Sequence, residues 1–89
     1  MRNIEKTSVF TKDFKSLPND VQDKTWDVVN ILKCDIFDDI LKIKKLEGYK
    51  NVWRLSIKKD YRLIYSFDKE NIYLLRIRHR KDIYKRLEL

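Results

Sequence analysis

The chain has one glycine, one proline, one cysteine, one methionine and one histidine in 89 residues. Each scarcity excludes something. A lone cysteine, Cys34, cannot close an intramolecular disulfide, and its place after an apolar helical stretch suits a small packed hydrophobe. One histidine, one cysteine and scattered acids do not assemble a metal site, so no cofactor is expected. A single glycine excludes a Gly-rich phosphate loop. With so little glycine and proline and no low-complexity tract, no linker or internal repeat is visible, and 1–89 is expected to be a single domain. No apolar run approaches about 18 residues, and the opening MRNIEKTSVF is too polar for a signal peptide. A cytoplasmic protein without a membrane partner is the expectation.

What is abundant is positive charge, and it is unevenly placed. The net charge is +7 and the pI about 9.6. Residues 1–41 hold six Lys/Arg against eight Asp/Glu, a net −2, whereas residues 42–89 hold fifteen against six, a net +9. A basic half of this kind is the electrostatic footprint of a protein that binds nucleic acid or a ribonucleoprotein.

The basic half also carries the strand signals. Residues 52–57, 60–67 and 72–77 are rich in β-branched and aromatic side chains and are separated by the polar turns Lys58-Lys59 and 68–71, so they should pair as an antiparallel meander. Alternation puts Trp53, Leu55 and Ile57 on one face and Arg54, Ser56 and Lys58 on the other. In the next strand both faces hold apolar residues, Leu63 and Tyr65 on one and Ile64 on the other, so its inward side stays open. In the last, Arg76 and Arg78 share a face with Leu74.

Ahead of the meander, residues 2–7 can form a short strand. Ser8 then suits a helix N-cap, with Phe10, Phe14 and Leu17 on one face and Pro18 as the stop. Asn19 and Gln22 have the spacing of a capping box, and Val21, Thr25, Val28, Val29 and Leu32 line a second helix that fades near residues 33–35. The expected fold is α+β: a small twisted antiparallel sheet packed against an N-terminal helical hairpin, in the order β-α-α-β-β-β. Gly48, in the turn before the meander, is expected at positive φ. After Arg78 the tail suits a short helix or an extended segment equally, with Ile83 and Leu87 as packing residues.

Five fragments, in this order, resemble the RelE/ParE superfamily of toxins from bacterial type II toxin–antitoxin modules. They are FTKDFKSLP (10–18), LEGY (46–49), WRL (53–55), DYRLIY (60–65) and HRKDIY (79–84). The resemblance implies one of two activities. RelE-like members cut mRNA in the ribosomal A site; ParE-like members inhibit DNA gyrase and lack the cleavage residues. The tail His79-Arg80-x-Asp82-x-Tyr84 favours the RelE-like branch, hence a toxin with endoribonuclease activity that blocks translation. The implied partners are the ribosome, mRNA and a cognate antitoxin, with gyrase the partner in the alternative. A basic RNA-binding module without catalysis is a third reading.

The resemblance also assigns residues. Arg62 falls on the arginine of the family's YRL motif, Arg78 or His79 where the general acid sits, and Tyr84 on the stacking tyrosine. Arg54 stands in for basic residues of the preceding strand. Metal-free RNA cleavage must deprotonate a 2′-OH, stabilise a phosphorane and protonate the 5′ oxygen. Arg62 and Arg78, with Arg54 and Arg80 in support, suit the second task because guanidinium engages phosphate bidentately. His79 is the expected acid. Glu47 is either the base or an ordinary turn residue. Tyr84 either stacks on an RNA base or packs the tail. Lys58, Lys59 and Arg80 are expected RNA-backbone contacts, and Lys42, Lys44, Lys45 and Lys50 either contact RNA backbone or are simply solvated.

Overall fold

The computed structural model describes residues 1–85. In chain order the elements are β1 (Asn3–Lys6), α1 (Ser8–Lys15), α2 (Asn19–Cys34), a 3₁₀ turn (Asp39–Leu41), β2 (Lys44–Lys45), β3 (Trp53–Ile57), β4 (Tyr61–Phe67) and β5 (Asn71–His79). They form one five-stranded sheet in the order β1-β5-β4-β3-β2, with both helices on one face. The α+β class, the helical hairpin and the β3-β4-β5 meander are as the sequence predicts. No helix among the described residues is long and apolar enough to cross a membrane.

Two features of the sheet differ. It is mixed, because β1 lies parallel to β5, Asn3 opposite Asn71 through Lys6 opposite Leu74. It also gains a two-residue edge strand, with Lys44 opposite Arg54 and Lys45 opposite Trp53. The helix caps differ as well. Thr7, not Ser8, caps α1: its hydroxyl accepts from Phe10 N at 3.0 Å while lying within hydrogen-bond distance of the Leu74 and Leu75 carbonyls. Pro18 occupies the N-cap of α2 without a side-chain cap, and Gln22 instead donates to Phe14 O, tying the two helices together.

Both faces of the sheet are covered. On the helix side, Phe10, Val21, Val28, Val29 and Leu32 pack against Leu55, Ile57, Leu63, Tyr65, Leu74 and Ile77. On the far side, Val52, Ile64 and the tail residue Ile83 make a second cluster, flanked by Leu46 and Leu75. Ile83 is 1% exposed, and burial of such a side chain is worth about 1.5–3 kcal/mol. It pins the chain after β5 back across the sheet; Leu87 lies outside the described residues.

A bulge links the two faces. Ile64 pairs with Arg76 but Tyr65 pairs with Leu74, so Leu75 is an extra residue in β5. A bulge shifts the alternation. Leu74 therefore joins Ile72 and Ile77 on the helix side, rather than sharing a face with Arg76 and Arg78 as plain alternation predicts. Beyond the bulge, where β1 has ended, α1 lies against β5. The Asp13 carboxylate there accepts from Ile77 N at 3.3 Å and takes a two-pronged contact from Arg76, Nε–Oδ2 2.8 Å and Nη2–Oδ1 3.3 Å.

Candidate nucleic-acid interface

Strand register decides which cations share a surface. Lys44 lies opposite Arg54, and Arg54 opposite Ile64. Ile64 is buried in the far-side cluster, so Arg54 and Lys44 share that far side. In the next row Ser56 lies opposite Arg62, and Arg62 opposite Arg78. Like charges placed directly opposite one another on a sheet repel. Rows that hold Lys-Arg and Arg-Arg neighbours are stabilised when an anion lies across them.

Two non-strand segments complete this surface. The turn after β2 brings Leu46 and Glu47, anchored by Leu46 N donating to Val52 O at 2.8 Å. Gly48, at φ +86, makes the bend as expected. The tail brings Arg80 and Tyr84 on either side of the buried Ile83. Lys44, Lys45, Leu46, Glu47, Arg54, Arg62, Arg80 and Tyr84 line one open cleft of ≈ 520 Å³. Among the described residues it holds five cations and one carboxylate. Tyr84 is 47% exposed, so its ring is available to a ligand.

Some of these charges are already oriented. Arg62 Nη1 donates to Lys59 O at 2.7 Å and Tyr61 O at 3.1 Å, which fixes its guanidinium beside the β3–β4 connection. That connection needs the support, because Lys58 and Lys59 both adopt left-handed φ, 48° and 70°, where a side chain is strained. Arg80 is held by Asp60 twice, backbone N to Asp60 O at 2.7 Å and Nε to Oδ1 at 3.5 Å. Among the described residues no three His, Cys, Asp or Glu side chains converge on a metal position.

The cleft brings together Arg54, Arg62, Arg80, Tyr84, Glu47 and Lys45 from the expected set. It does not include the others. His79 is the register partner of Tyr61 and lies edge-on to that ring at 5.2 Å. It lines a separate cleft of ≈ 590 Å³ under α1, with Lys12, Asp13, Tyr61, Arg76 and Asp82. The reason is parity: Arg78 pairs with Arg62, so the next residue turns to the opposite side of the sheet. Arg78 is exposed, faces Arg62 across the ladder, and also borders the α1 cleft. Lys58 is not on the Arg54 face either, because the positive φ turns it toward α2, where its Nζ meets Asp20 Oδ2 at 2.9 Å. Lys59 gives its carbonyl to Arg62, while its own side chain, like that of Lys50, is exposed outside the cleft lining. Lys44, from the edge strand β2, also lines the cleft, whereas Lys42 is exposed outside it.

A family model described as the ParE toxin of the type II toxin–antitoxin system, parDE, matches residues 4–84. The RelB–RelE antitoxin–toxin complex from Methanococcus jannaschii superimposes with a TM-score of 0.79 at 26% identity, covering 94% of this chain and 99% of that one. YafQ from E. coli strain BL21(DE3) gives 0.79 at 19% identity, over 94% and 99%. YoeB from Staphylococcus aureus gives 0.78 at 18%, over 88% and 95%. The last two likenesses bear on fold alone. A search of curated proteins finds no match. With nearly the whole chain matched by the family model and the fold shared across this set, the protein belongs to the ParE toxin family of type II toxin–antitoxin systems, within the RelE/ParE superfamily.

Proposed function

We propose that this toxin is a ribosome-dependent endoribonuclease whose active site is the far-side cleft. The observation that carries the reading is the convergence of Arg54, Arg62, Arg80, Glu47 and Tyr84 on one open surface. The likeness to RelE supports it, as does the cleavage activity that the RelE resemblance implies.

The chemistry follows from the residue types. Glu47 is the only carboxylate lining the cleft among the described residues and takes the proton of the 2′-OH. The 2′ oxygen then attacks phosphorus while the P–O5′ bond breaks. Arg54 and Arg62 hold the non-bridging oxygens as charge gathers on them, and preorganised charge of this kind is commonly the largest catalytic contribution. Arg80 faces the departing 5′ oxygen, which takes its proton from water in the open cleft. The products are a 2′,3′-cyclic phosphate and a 5′-OH. On this reading His79, which lines the other cleft, is not assigned the proton transfer. Tyr84 stacks on an unpaired base, the usual way an exposed nucleotide is read. Arg78, Lys44 and Lys45 hold the backbone. An antitoxin with an acidic or amphipathic segment would neutralise this cleft; RelE from M. jannaschii and YafQ from E. coli are both seen with antitoxins, RelB and DinJ.

The match to the ParE model favours a second reading, inhibition of DNA gyrase without nuclease activity. One experiment separates them. Purified toxin is incubated with mRNA on programmed ribosomes and, in parallel, with gyrase and relaxed plasmid. Primer-extension stops that need ribosomes support the nuclease; intact mRNA with blocked supercoiling selects the gyrase inhibitor.

A further inference from the structure

His79 is the last residue of β5, and the turn that follows is wound on it. Its carbonyl accepts from Asp82 N at 2.8 Å and from Ile83 N at 3.0 Å. Its ring Nδ1 accepts from Lys81 N at 3.1 Å. That bond requires the tautomer with its proton on Nε2. The ring is steadied from behind by the Tyr61 ring, its cross-strand neighbour. The residues next along the chain reach the other face: Arg80 is held on Asp60, Ile83 is buried in the far-side cluster, and Tyr84 enters the far-side cleft. A backbone turn therefore connects a side chain in one cleft to two in the other.

On the nuclease reading above, we propose that His79 is a positioning residue. Its Nδ1, by accepting the Lys81 amide, sets the turn that presents Arg80 and Tyr84 to the RNA. The role needs an acceptor two bonds from Cβ and needs neither a proton to donate nor a cationic ring. That distinguishes it from an acid, and it also distinguishes His79 from residues that merely fill space.

Three variants test this. His79→Asn places Oδ1 at the same bond count as Nδ1 and keeps the acceptor. His79→Gln moves the acceptor one bond further out. His79→Phe keeps a ring against Tyr61 and has no acceptor. Amide hydrogen exchange at Lys81 should remain slow in H79N and accelerate about tenfold or more in H79Q and H79F, since local protection follows the local hydrogen bond. In ribosome-dependent cleavage, kcat should stay within about threefold of wild type in H79N. It should fall about tenfold in the other two with KM little changed, because misplacement of reacting groups is read mainly in kcat. If H79N is as inactive as H79Q, His79 acts as a proton donor or by another means, and the positioning role is wrong. Equal activity and equal Lys81 protection in all three would overturn it too, as would rescue by H79F alone. If wild-type toxin leaves mRNA intact on programmed ribosomes, the nuclease reading fails, and exchange at Lys81 still judges the acceptor role.

Discussion

The two clefts of this toxin have nearly the same size and differ in how far their positive charge is compensated. Under α1, Arg76 is neutralised by Asp13 within 2.8 Å, and both side chains are largely buried, 14% and 11% exposed. On the far side, Lys44, Lys45, Arg54, Arg62 and Arg80 line one cleft with Glu47 as the only acid among the described residues of the lining. The first arrangement closes a sheet edge that β1 leaves open, since Asp13 also accepts the Ile77 amide. In the second the like charges repel one another. A count of basic residues therefore says little about where a polyanion binds; what matters is how much of the charge is left uncompensated, and on the far side only Arg80 has a carboxylate contact, to the half-exposed Asp60 at 3.5 Å, among the described residues.

The comparison breaks first at Arg62. Arg62→Ala should lower ribosome-dependent cleavage about a hundredfold or more, the usual cost of removing one preorganised donor to a developing oxyanion. Because Arg62 also braces the strained Lys58-Lys59 connection, Arg54→Ala serves as the companion variant, with thermal unfolding as the check on the fold. Near-wild-type cleavage by both variants would move the site elsewhere.

Asp13→Ala tests the other side. It leaves the Arg76 guanidinium buried and unpaired, and loss of one partner from a buried ion pair costs about 3–5 kcal/mol. Since 14% of Arg76 still reaches water, the lower end is expected. Denaturant unfolding should show a loss of about 3 kcal/mol, whereas per-molecule cleavage by the remaining folded protein stays within a few-fold of wild type. A catalytic defect without a stability defect would reverse the assignment of the two clefts.

A smaller effect is expected in the core between the sheet and the helices. Tyr65 is completely buried, and its hydroxyl has no hydrogen-bond partner among the described residues. Burial pushes the phenol well above its ordinary range. Removing an unsatisfied buried hydroxyl removes a desolvation penalty. Tyr65→Phe should leave stability unchanged or raise it by up to about 1 kcal/mol, read as a higher denaturation midpoint with activity intact. A marked loss of stability would mean that the hydroxyl is satisfied, by ordered water for instance.

Much of this architecture was legible in the sequence, and its failures have physical causes. The face shared by Trp53, Leu55 and Ile57 follows from simple alternation because β3 buries that side against the helices. The inward side of β4 could not be read, since Ile64 is as buried as Leu63: the tail returns to cover the second face. The bulge at Leu75 leaves no local trace, because Leu74, Leu75 and Ile77 are all apolar. Two-residue β2 is too short for periodicity and owes its place to β3. Parallel pairing of β1 depends on a partner nearly seventy residues away. For the site, the parity of β5 was available in principle. Once Arg78 faces Arg62, His79 cannot. Arg80 regains the far side only through the turn on His79, and its geometry depends on Asp60 and Ile83.

The β4–β5 turn offers a pH test of committed charge away from both clefts. Asp68 accepts from Tyr73 Oη at 2.7 Å, from Asn71 N at 2.7 Å and from Glu70 N at 2.9 Å. The tyrosine hydroxyl foremost, then the two amides, hold this carboxyl below its ordinary value. In the unfolded chain it recovers an ordinary pKa of about 3.9 and binds a proton sooner as pH falls. The unfolded state then carries more protons in that interval, so stability rises with pH there. The contribution is complete above about pH 4 and is lost as pH drops through the lowered native value. Because the group is exposed, the effect is small. Asp68→Asn keeps an acceptor for the amides but cannot titrate, so its unfolding midpoint should depend less steeply on pH below about 4 than that of wild type. Equal slopes would show that the Tyr73 bond does not persist in solution. Arg62→Ala, in contrast, should leave this acid limb unchanged, because its charge belongs to the cleft and not to the turn.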